Sequence, residues 1–164
     1  MKCSLISSSQ PQSVVFGHLN DDHEIDIVVV NSGTNTIGIL LSKGNGTFAK
    51  QHTYSTGVGS RPSSVVVNDF NKANYSDIIV TNYGTNNISI HLGNGNGTFS
   101  TVVPYSTDIG TESYSISIGD LDHDSYSDLV VTSGNGYLVV FLGYGNVSFI
   151  IWDVLFTVRL RILL

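Results

Sequence analysis

The 164-residue chain contains little charge and a single cysteine. Cys3 has no partner, so an internal disulfide is excluded, while the compartment stays open because many β-rich extracellular repeats have none. Charged residues make up 12%, and only seven residues are Lys or Arg. A nucleic-acid surface needs clustered basic residues, and the net charge of −6 argues against one. The acidic balance is compatible with binding cations.

Long hydrophobic segments are also missing. Met1–Cys3 leads directly into the polar residues Ser7–Gln10, without the apolar core of a signal peptide. Residues 150–164 are apolar but are interrupted by Arg159 and Arg161, and they are too few to span a bilayer. A membrane anchor is therefore disfavoured. We interpret residues 150–164 as a divergent tail, which either improvises a last strand or has left the repeat frame.

No recognisable catalytic constellation is present. The five histidines fall at unrelated positions, and the chain has no Gly-x-Ser-x-Gly elbow. Gly93–Gly97 has the composition of a phosphate loop, but no helix follows that would direct amides at a phosphate, so we expect a hairpin turn. These observations predict a protein that is not an enzyme.

The chain does contain one pattern that recurs three times. An aspartate followed by an apolar run appears at Asp26, Asp77 and Asp128, each 51 residues after the previous one. A constant period of this length indicates a repeat array, in which one unit cannot bury its own apolar faces. We place the units at about residues 11–57, 62–108 and 113–149 of a single array covering 1–164.

Each unit is predicted to form four short antiparallel strands, which makes the fold all-β. The first strands are Ser13–Phe16, Ser64–Val67 and Ser115–Ile118. The second strand is the apolar run after each aspartate, and its near-continuous hydrophobicity predicts burial on both faces. A tight turn, clearest at Asn135–Gly136, leads to the third strand. A Gly-Asn-Gly turn and a polar fourth strand complete the unit.

An acidic nine-residue loop joins the first two strands of every unit, at residues 18–26, 69–77 and 120–128. In the third loop, oxygen-bearing side chains occupy positions 1, 3, 5 and 9, so that alternate residues point toward one centre. Position 7 would supply a backbone carbonyl. Ca²⁺ prefers about six to eight oxygen ligands in loose geometry. The loops therefore predict calcium sites.

The predicted ligands differ between the loops. The third loop has a full set: Asp120, Asp122, Asp124, Asp128 and the carbonyl of Tyr126. The second loop has Ala73 at position 5 and keeps fewer: Asp69, Asn71, Asp77 and the carbonyl of Tyr75. The first loop has His18 at position 1, a poor ligand for a hard cation, and keeps Asn20, Asp22, Asp26 and the carbonyl of Glu24. We predict one competent site and two weakened ones.

A simpler interpretation is that these Asp and Asn residues only cap turns through bonds to their own backbone. For the first loop, the capping interpretation explains the residues about as well as calcium binding does. It is weaker for the third loop, because four carboxylates packed together without a cation would repel one another.

At these residues the chain resembles the FG-GAP and VCBS repeat family, which includes the blades of integrin α-subunit propellers. Asp120–Val131 matches the family's acidic loop and second strand, and Gly44–Phe48 and Gly95–Phe99 match its glycine turn. The resemblance covers about residues 11–149, although His23, Asn74 and Ser125 replace the family's loop glycine. It implies β-propeller blades with Ca²⁺ in the loop between the first two strands.

Three blades are fewer than the roughly four that close a propeller. We expect an arc that belongs to a longer chain, is closed by further blades or is part of an oligomer. The resemblance also implies an extracellular or cell-surface location. Sequons such as Asn96-Gly97-Thr98 would be glycosylated only there, and several arise by chance in a chain rich in Asn, Ser and Thr.

The function that the resemblance implies is a non-enzymatic calcium-binding module that contacts an unknown protein or glycan. One alternative is an accessory segment of a larger secreted or surface enzyme acting on polysaccharide or lipid. Another is a lectin-like module in which Tyr83 and Tyr144 stack on sugars, although tyrosines at such turns more often serve packing.

Overall fold

The computed structural model describes residues 8–106, 113–134 and 136–156, and their regular structure is entirely β. Asn135 of the predicted hairpin, the end of the second predicted unit at 107–108 and residues 157–164 of the predicted tail lie outside the described residues. Within the described ranges, no helix is long and apolar enough to cross a membrane.

The strands form three separate four-stranded sheets, which we call the first, second and third blades. The first blade consists of β1 (Pro11–Gly17), β2 (Asp26–Asn31), β3 (Thr36–Leu40) and β4 (His52–Ser55). The second consists of β5 (Pro62–Asn68), β6 (Asp77–Asn82), β7 (Asn87–Gly93) and β8 (Phe99–Ser106). The third consists of β9 (Ser113–Gly119), β10 (Asp128–Ser133), β11 (Tyr137–Gly143) and β12 (Phe149–Phe156).

Each blade is an antiparallel meander in which consecutive strands are neighbours. The register repeats with the sequence: Pro11 pairs with Asn31 in the first blade, and Pro62 pairs with Asn82 in the second. All three blades also have an irregularity near the start of their first strand. The 51-residue period is therefore a structural period, and the all-β prediction of three four-stranded propeller blades is confirmed.

The blades pack face to face along their inner strands, with β1 against β5 and β5 against β9. The core between the first two blades is built from aliphatic residues of their central strands together with Phe99. A second core between the second and third blades contains Phe70, Phe141 and Phe149. Because the central strands are covered by a neighbouring blade on at least one side, their β-branched runs are almost fully buried, as in β6.

The fourth strands differ between the blades. β8 starts at Phe99, the last residue of the glycine turn, whereas β4 starts only at His52. β12 runs through residues 150–156, which the sequence analysis placed in the tail. β12 is mostly apolar, in contrast to the polar β4. Its Trp152 is nevertheless 62% exposed.

Candidate metal centre

The third acidic loop gathers three carboxylates at its surface. Ligand oxygens of Asp120, Asp122 and Asp124 all lie within 4.8 Å of one another, and the three residues are exposed. Partial desolvation raises the pKa of the Asp122 carboxyl, and the charges of Asp124 and Asp128 raise it further. A bound cation would relieve this repulsion. A donor set made entirely of oxygens suits a hard cation such as Ca²⁺.

The same carboxylates also shape the turn. Asp120 accepts the backbone amides of Asp124 and Ser125, each at 3.1 Å, and Asp124 accepts the amide of Tyr126 at 2.8 Å. These are the local bonds that the capping interpretation predicts. Each carboxylate oxygen has a further lone pair, so an amide at one position does not prevent a cation at another.

The second loop shows which of these groups the turn requires. Asp69 accepts the amides of Ala73 and Asn74 at 3.0 and 2.9 Å, the same pattern 51 residues earlier. The loop adopts it with an alanine at the position of Asp124. The Asp124 carboxylate is therefore dispensable for the turn, which leaves it free for a ligand role.

The second loop also contacts the third. The Nζ of Lys72 donates to the carbonyl oxygen of Ser125 at 2.9 Å and lies 5.5 Å from the centre of the Tyr126 ring. The second and third loops are thereby held side by side.

Internal bonds reach two of the predicted ligands of the first loop, the Glu24 carbonyl and the Asp22 carboxylate. His18 donates from Nδ1 to the carbonyl of Glu24 at 2.8 Å, the oxygen predicted as a metal ligand. The Nδ2 of Asn20 donates to the Asp22 carboxylate at 2.9 Å, and the other oxygen of that carboxylate accepts the Glu24 amide. The Asn20 Oδ1, by contrast, has no hydrogen-bond partner among the described residues. The weakened first site remains a prediction.

The aspartates at position 9 lie apart from the exposed group of three. Asp26, Asp77 and Asp128 are each 0% exposed. In all three blades one carboxylate oxygen accepts the amide of loop position 2, and the other accepts an amide at or just after the end of the third strand. The paired donors are Leu19 and Ser42, Phe70 and Gly93, and Leu121 and Gly143.

This bridge joins the acidic loop to the glycine turn, a role that the sequence analysis missed. A signal was present: the aspartate persists in the first loop, where His18 has replaced another predicted ligand. Burial raises the pKa of Asp77, and the charge of Asp69 adds to that, while the amides of Gly93 and Phe70 oppose the shift. A ligand role for position 9 remains a prediction.

Side chains at position 7 make a second link between the two halves of the motif. A Cβ on Gly95 would lie 2.3 Å from the Tyr75 ring, and one on Gly145 would lie 2.2 Å from the Tyr126 ring. Both glycines also have a positive φ, +75° and +73°. The loop and the glycine turn therefore recur together because they pack against each other.

Tyrosines on the fourth strands connect successive blades. The Tyr54 hydroxyl accepts the amide of Phe99 at 3.2 Å, and their rings pack edge to face with centroids 5.7 Å apart. The Tyr105 hydroxyl donates to the carbonyl of Phe149, with an equivalent ring contact. By strand register, the corresponding position of the third blade is Leu155.

A polar cleft of about 600 Å³ lies at the opposite end of the strands from the acidic loops. It is formed by the chain before β1 and β5 and by the β2–β3 and β6–β7 turns. Its lining includes Gln10, Asn35, Arg61 and Tyr83. Tyr144, the other predicted sugar-stacking residue, is 48% exposed and does not line this cleft.

Comparison with known families agrees with this geometry. A family model described as "FG-GAP-like repeat" matches residues 18–80 and 69–131, and one described as "FG-GAP repeat" matches residues 113–150. No curated protein matches the chain. The matched residues contain all three acidic loops and all three glycine turns, the two halves that the buried aspartates join. The chain therefore belongs to the FG-GAP repeat family.

Proposed function

We propose that this chain is a non-enzymatic, calcium-stabilised repeat module that contacts a protein or glycan outside the cell. The observation that carries the metal assignment is the group of three exposed carboxylates, Asp120, Asp122 and Asp124, whose ligand oxygens lie within 4.8 Å of one another. Membership of the FG-GAP family supports it, because these repeats often bind calcium and are typical of extracellular proteins.

The expected role of the ion is structural. Calcium would neutralise the carboxylates of the third loop and hold the connection between β9 and β10. The first loop would bind calcium poorly, because His18 stands in place of a carboxylate and its ring already donates to the Glu24 carbonyl. The second loop, which has Ala73 in place of the third carboxylate, would be intermediate.

Calorimetry tests the metal assignment. A ligand that binds only the folded state at about ten times its Kd stabilises that state by about 1.4 kcal/mol. The melting temperature should therefore rise when millimolar Ca²⁺ replaces EDTA. Identical transitions in the two buffers would refute calcium binding.

A pair of variants locates the response. Asp124→Ala should abolish most of the calcium-dependent rise in melting temperature, because it removes one of the three clustered carboxylates. Asp22→Ala should change the response much less, because Asp22 is already paired with Asn20. Equal losses in both variants would argue against a dominant third site.

The polar cleft favours a second candidate function, that of a lectin-like module. Its lining offers the amides of Gln10 and Asn35, the guanidinium of Arg61 and the ring of Tyr83, groups that hydrogen-bond to and stack on sugars. A glycan array should then give binding that Tyr83→Ala removes. An array without hits would eliminate this candidate.

The remaining alternative is an accessory role beside an enzyme that acts on polysaccharide or lipid. A catalytic domain encoded in the same gene, beyond either end of these residues, would support it over an independent module.

A further inference from the structure

A cleft of about 340 Å³ lies between the first acidic loop and the second. The first loop forms one wall, and the second loop and the glycine turn of the second blade form the other. The amide of Gly97 in that turn donates to the carbonyl of Leu19 in the first loop at 2.9 Å, which holds one wall against the other. The cleft is therefore preformed, and it lies between two blades that are both described.

The equivalent place between the second and third loops is occupied by a lysine of the chain itself. The Nζ of Lys72 donates to the Ser125 carbonyl at 2.9 Å and lies 5.5 Å from the centre of the Tyr126 ring. The residue 51 positions before Lys72 is Asp21, which has the opposite charge and lines the cleft. No lysine or arginine is among the described residues that line it. The second pair of loops thus shows a cation contact that the first pair does not make within the chain.

The carbonyl that accepts from Lys72 has a counterpart in the cleft. Ser125 has a left-handed backbone with a φ of +69°, and Asn74, 51 residues earlier, has the same conformation with a φ of +63°. The Asn74 carbonyl is therefore placed in the second loop as the Ser125 carbonyl is in the third. Asp21 adds an exposed carboxylate without a hydrogen bond or ion pair among the described residues. A carbonyl and a carboxylate together suit a cationic hydrogen-bond donor.

The aromatic surface recurs as well. A Cβ on Gly95 would lie 2.3 Å from the Tyr75 ring. One on Gly145 would lie 2.2 Å from the Tyr126 ring, so the two rings have the same placement. Tyr75 is nevertheless 47% exposed, whereas Tyr126, which Lys72 covers, is more deeply buried. Because an ammonium group within about 6 Å of such a ring is attracted to its face, Tyr75 is suited to the same cation.

We propose that the cleft between the first and second loops binds a primary ammonium group, of the kind that a partner protein presents on a lysine side chain. The Asn74 carbonyl and the Asp21 carboxylate accept its protons, and the Tyr75 ring covers it. A lysine side chain is the source we choose because Lys72 makes the equivalent contact from a neighbouring polypeptide segment. This inference deepens the protein-binding part of the proposed function and rests on it for the source of the lysine, but it does not require calcium.

A nuclear magnetic resonance titration of the full chain in EDTA tests the proposal. It is done at pH 8, above the usual range of imidazole protonation, because His18 and His23 also line the cleft. A capped Gly-Lys-Gly peptide should shift the backbone amides of Asp21, Asn74 and Tyr75 with a Kd of about 10–50 mM. The same peptide with an Nε-acetylated lysine has no charge and should leave them unshifted. Absence of shifts with the lysine peptide, or equal shifts with both peptides, would overturn the proposal.

Butylamine separates a free amine from a lysine side chain. Weaker binding of butylamine than of the lysine peptide would support a polypeptide ligand, whereas equal binding would overturn the choice of a partner protein. A failed peptide titration beside an intact calcium-dependent rise in melting temperature would overturn this inference alone.

Exchanging the residues at this loop position gives a reciprocal test. Asp21→Lys should place an ammonium group in the cleft from within the chain and abolish peptide binding, whereas Asp21→Asn should weaken it about two- to fivefold. Asp22→Asn removes the same charge one residue away, outside the lining, and is the matched control. Lys72→Asp should create a second site, detected as new shifts at Ser125 and Tyr126. Unchanged binding in Asp21→Lys, or no new shifts in a natively folded Lys72→Asp protein, would contradict the assignment.

Discussion

His91 on β7 is a buried polar residue in a site that its repeat equivalents fill with apolar side chains. It is 0% exposed, both ring nitrogens lack a hydrogen-bond partner among the described residues, and its ring lies 6.3 Å from that of Tyr54. The register assigns Leu40 and Phe141 to the same position in the other blades. Burial lowers the pKa of His91 to about 4.

This pKa predicts a loss of stability in acid. The unfolded chain binds a proton near the ordinary pKa of 6.5, whereas folded His91 does so only at about 4. The free energy of unfolding should therefore decrease as the pH falls from about 6.5, by about 3 kcal/mol at pH 4. His91→Leu should remove this component in urea titrations across that range. Parallel acid losses in the variant and wild type would contradict the prediction, and His52→Gln, at an exposed site, is the control.

Gly95 is required for two separable reasons, which a matched pair of variants resolves. Gly46 and Gly95 have nearly the same φ, +76° and +75°, but a Cβ would meet nothing within 4 Å at Gly46 and the Tyr75 ring at Gly95. Gly46→Ala should cost about 1–2 kcal/mol for the left-handed backbone alone. Gly95→Ala should cost about 1–3 kcal/mol more because of crowding, measured by chemical denaturation. Equal losses of unfolding free energy in the two variants would show that the Tyr75 ring moves aside without loss of stability.

At the scale of the element, the acidic loop and the glycine turn form one unit centred on the position-9 aspartate. Asp128 accepts the amides of Leu121 and Gly143 with separate oxygens in a buried site. Asp124, only four residues earlier, is exposed. The loop thus divides into an inner structural carboxylate and an outer group available to a cation.

This division predicts opposite phenotypes for two conservative variants. Asp128→Asn turns an NH₂ group toward a buried amide and should destabilise the fold by about 2–3 kcal/mol in EDTA. Asp124→Asn should leave the melting temperature in EDTA nearly unchanged and reduce the response to calcium. Thermal scans of both proteins in the two buffers test the pair. A stable Asp128→Asn protein would refute the bridging role.

The sequence predicts the elements well because their signals are local. The predicted first strands, Ser13–Phe16, Ser64–Val67 and Ser115–Ile118, all lie within β1, β5 and β9. The bridge formed by Asp128 escaped prediction because its second donor, Gly143, is 15 residues distant along the chain. The ties of Tyr54 and Tyr105 to the next blade escaped for the same reason, since each spans more than 40 residues. The length of β12 was not predicted, because its residues are apolar and the other units led us to expect a polar fourth strand.

At the scale of the whole molecule, the tyrosine ties determine how strongly the blades are coupled. Tyr105 packs edge to face on Phe141 and Phe149 and donates its hydroxyl proton to the Phe149 carbonyl. Tyr105→Phe keeps the ring and removes the hydrogen bond. We expect a loss of about 1 kcal/mol in unfolding free energy.

A comparison with Tyr54→Phe tests whether this loss reflects the contact between blades. Tyr54 accepts an amide proton, so its variant leaves the amide of Phe99 without this acceptor and should be destabilised at least as much. Tyr144→Phe, at a residue that is 48% exposed, serves as a control for removal of a tyrosine hydroxyl elsewhere. Unaltered stability in Tyr54→Phe and Tyr105→Phe would show that ring packing alone couples the blades.

The ties also give the array a direction. In each case a tyrosine of one blade contacts the phenylalanine at the start of the last strand of the following blade. Of the three described blades, only the second therefore has such a contact with a neighbour on each side. A blade held on both sides loses its structure later than one held on a single side. Thermal fraying would therefore reach the middle blade last.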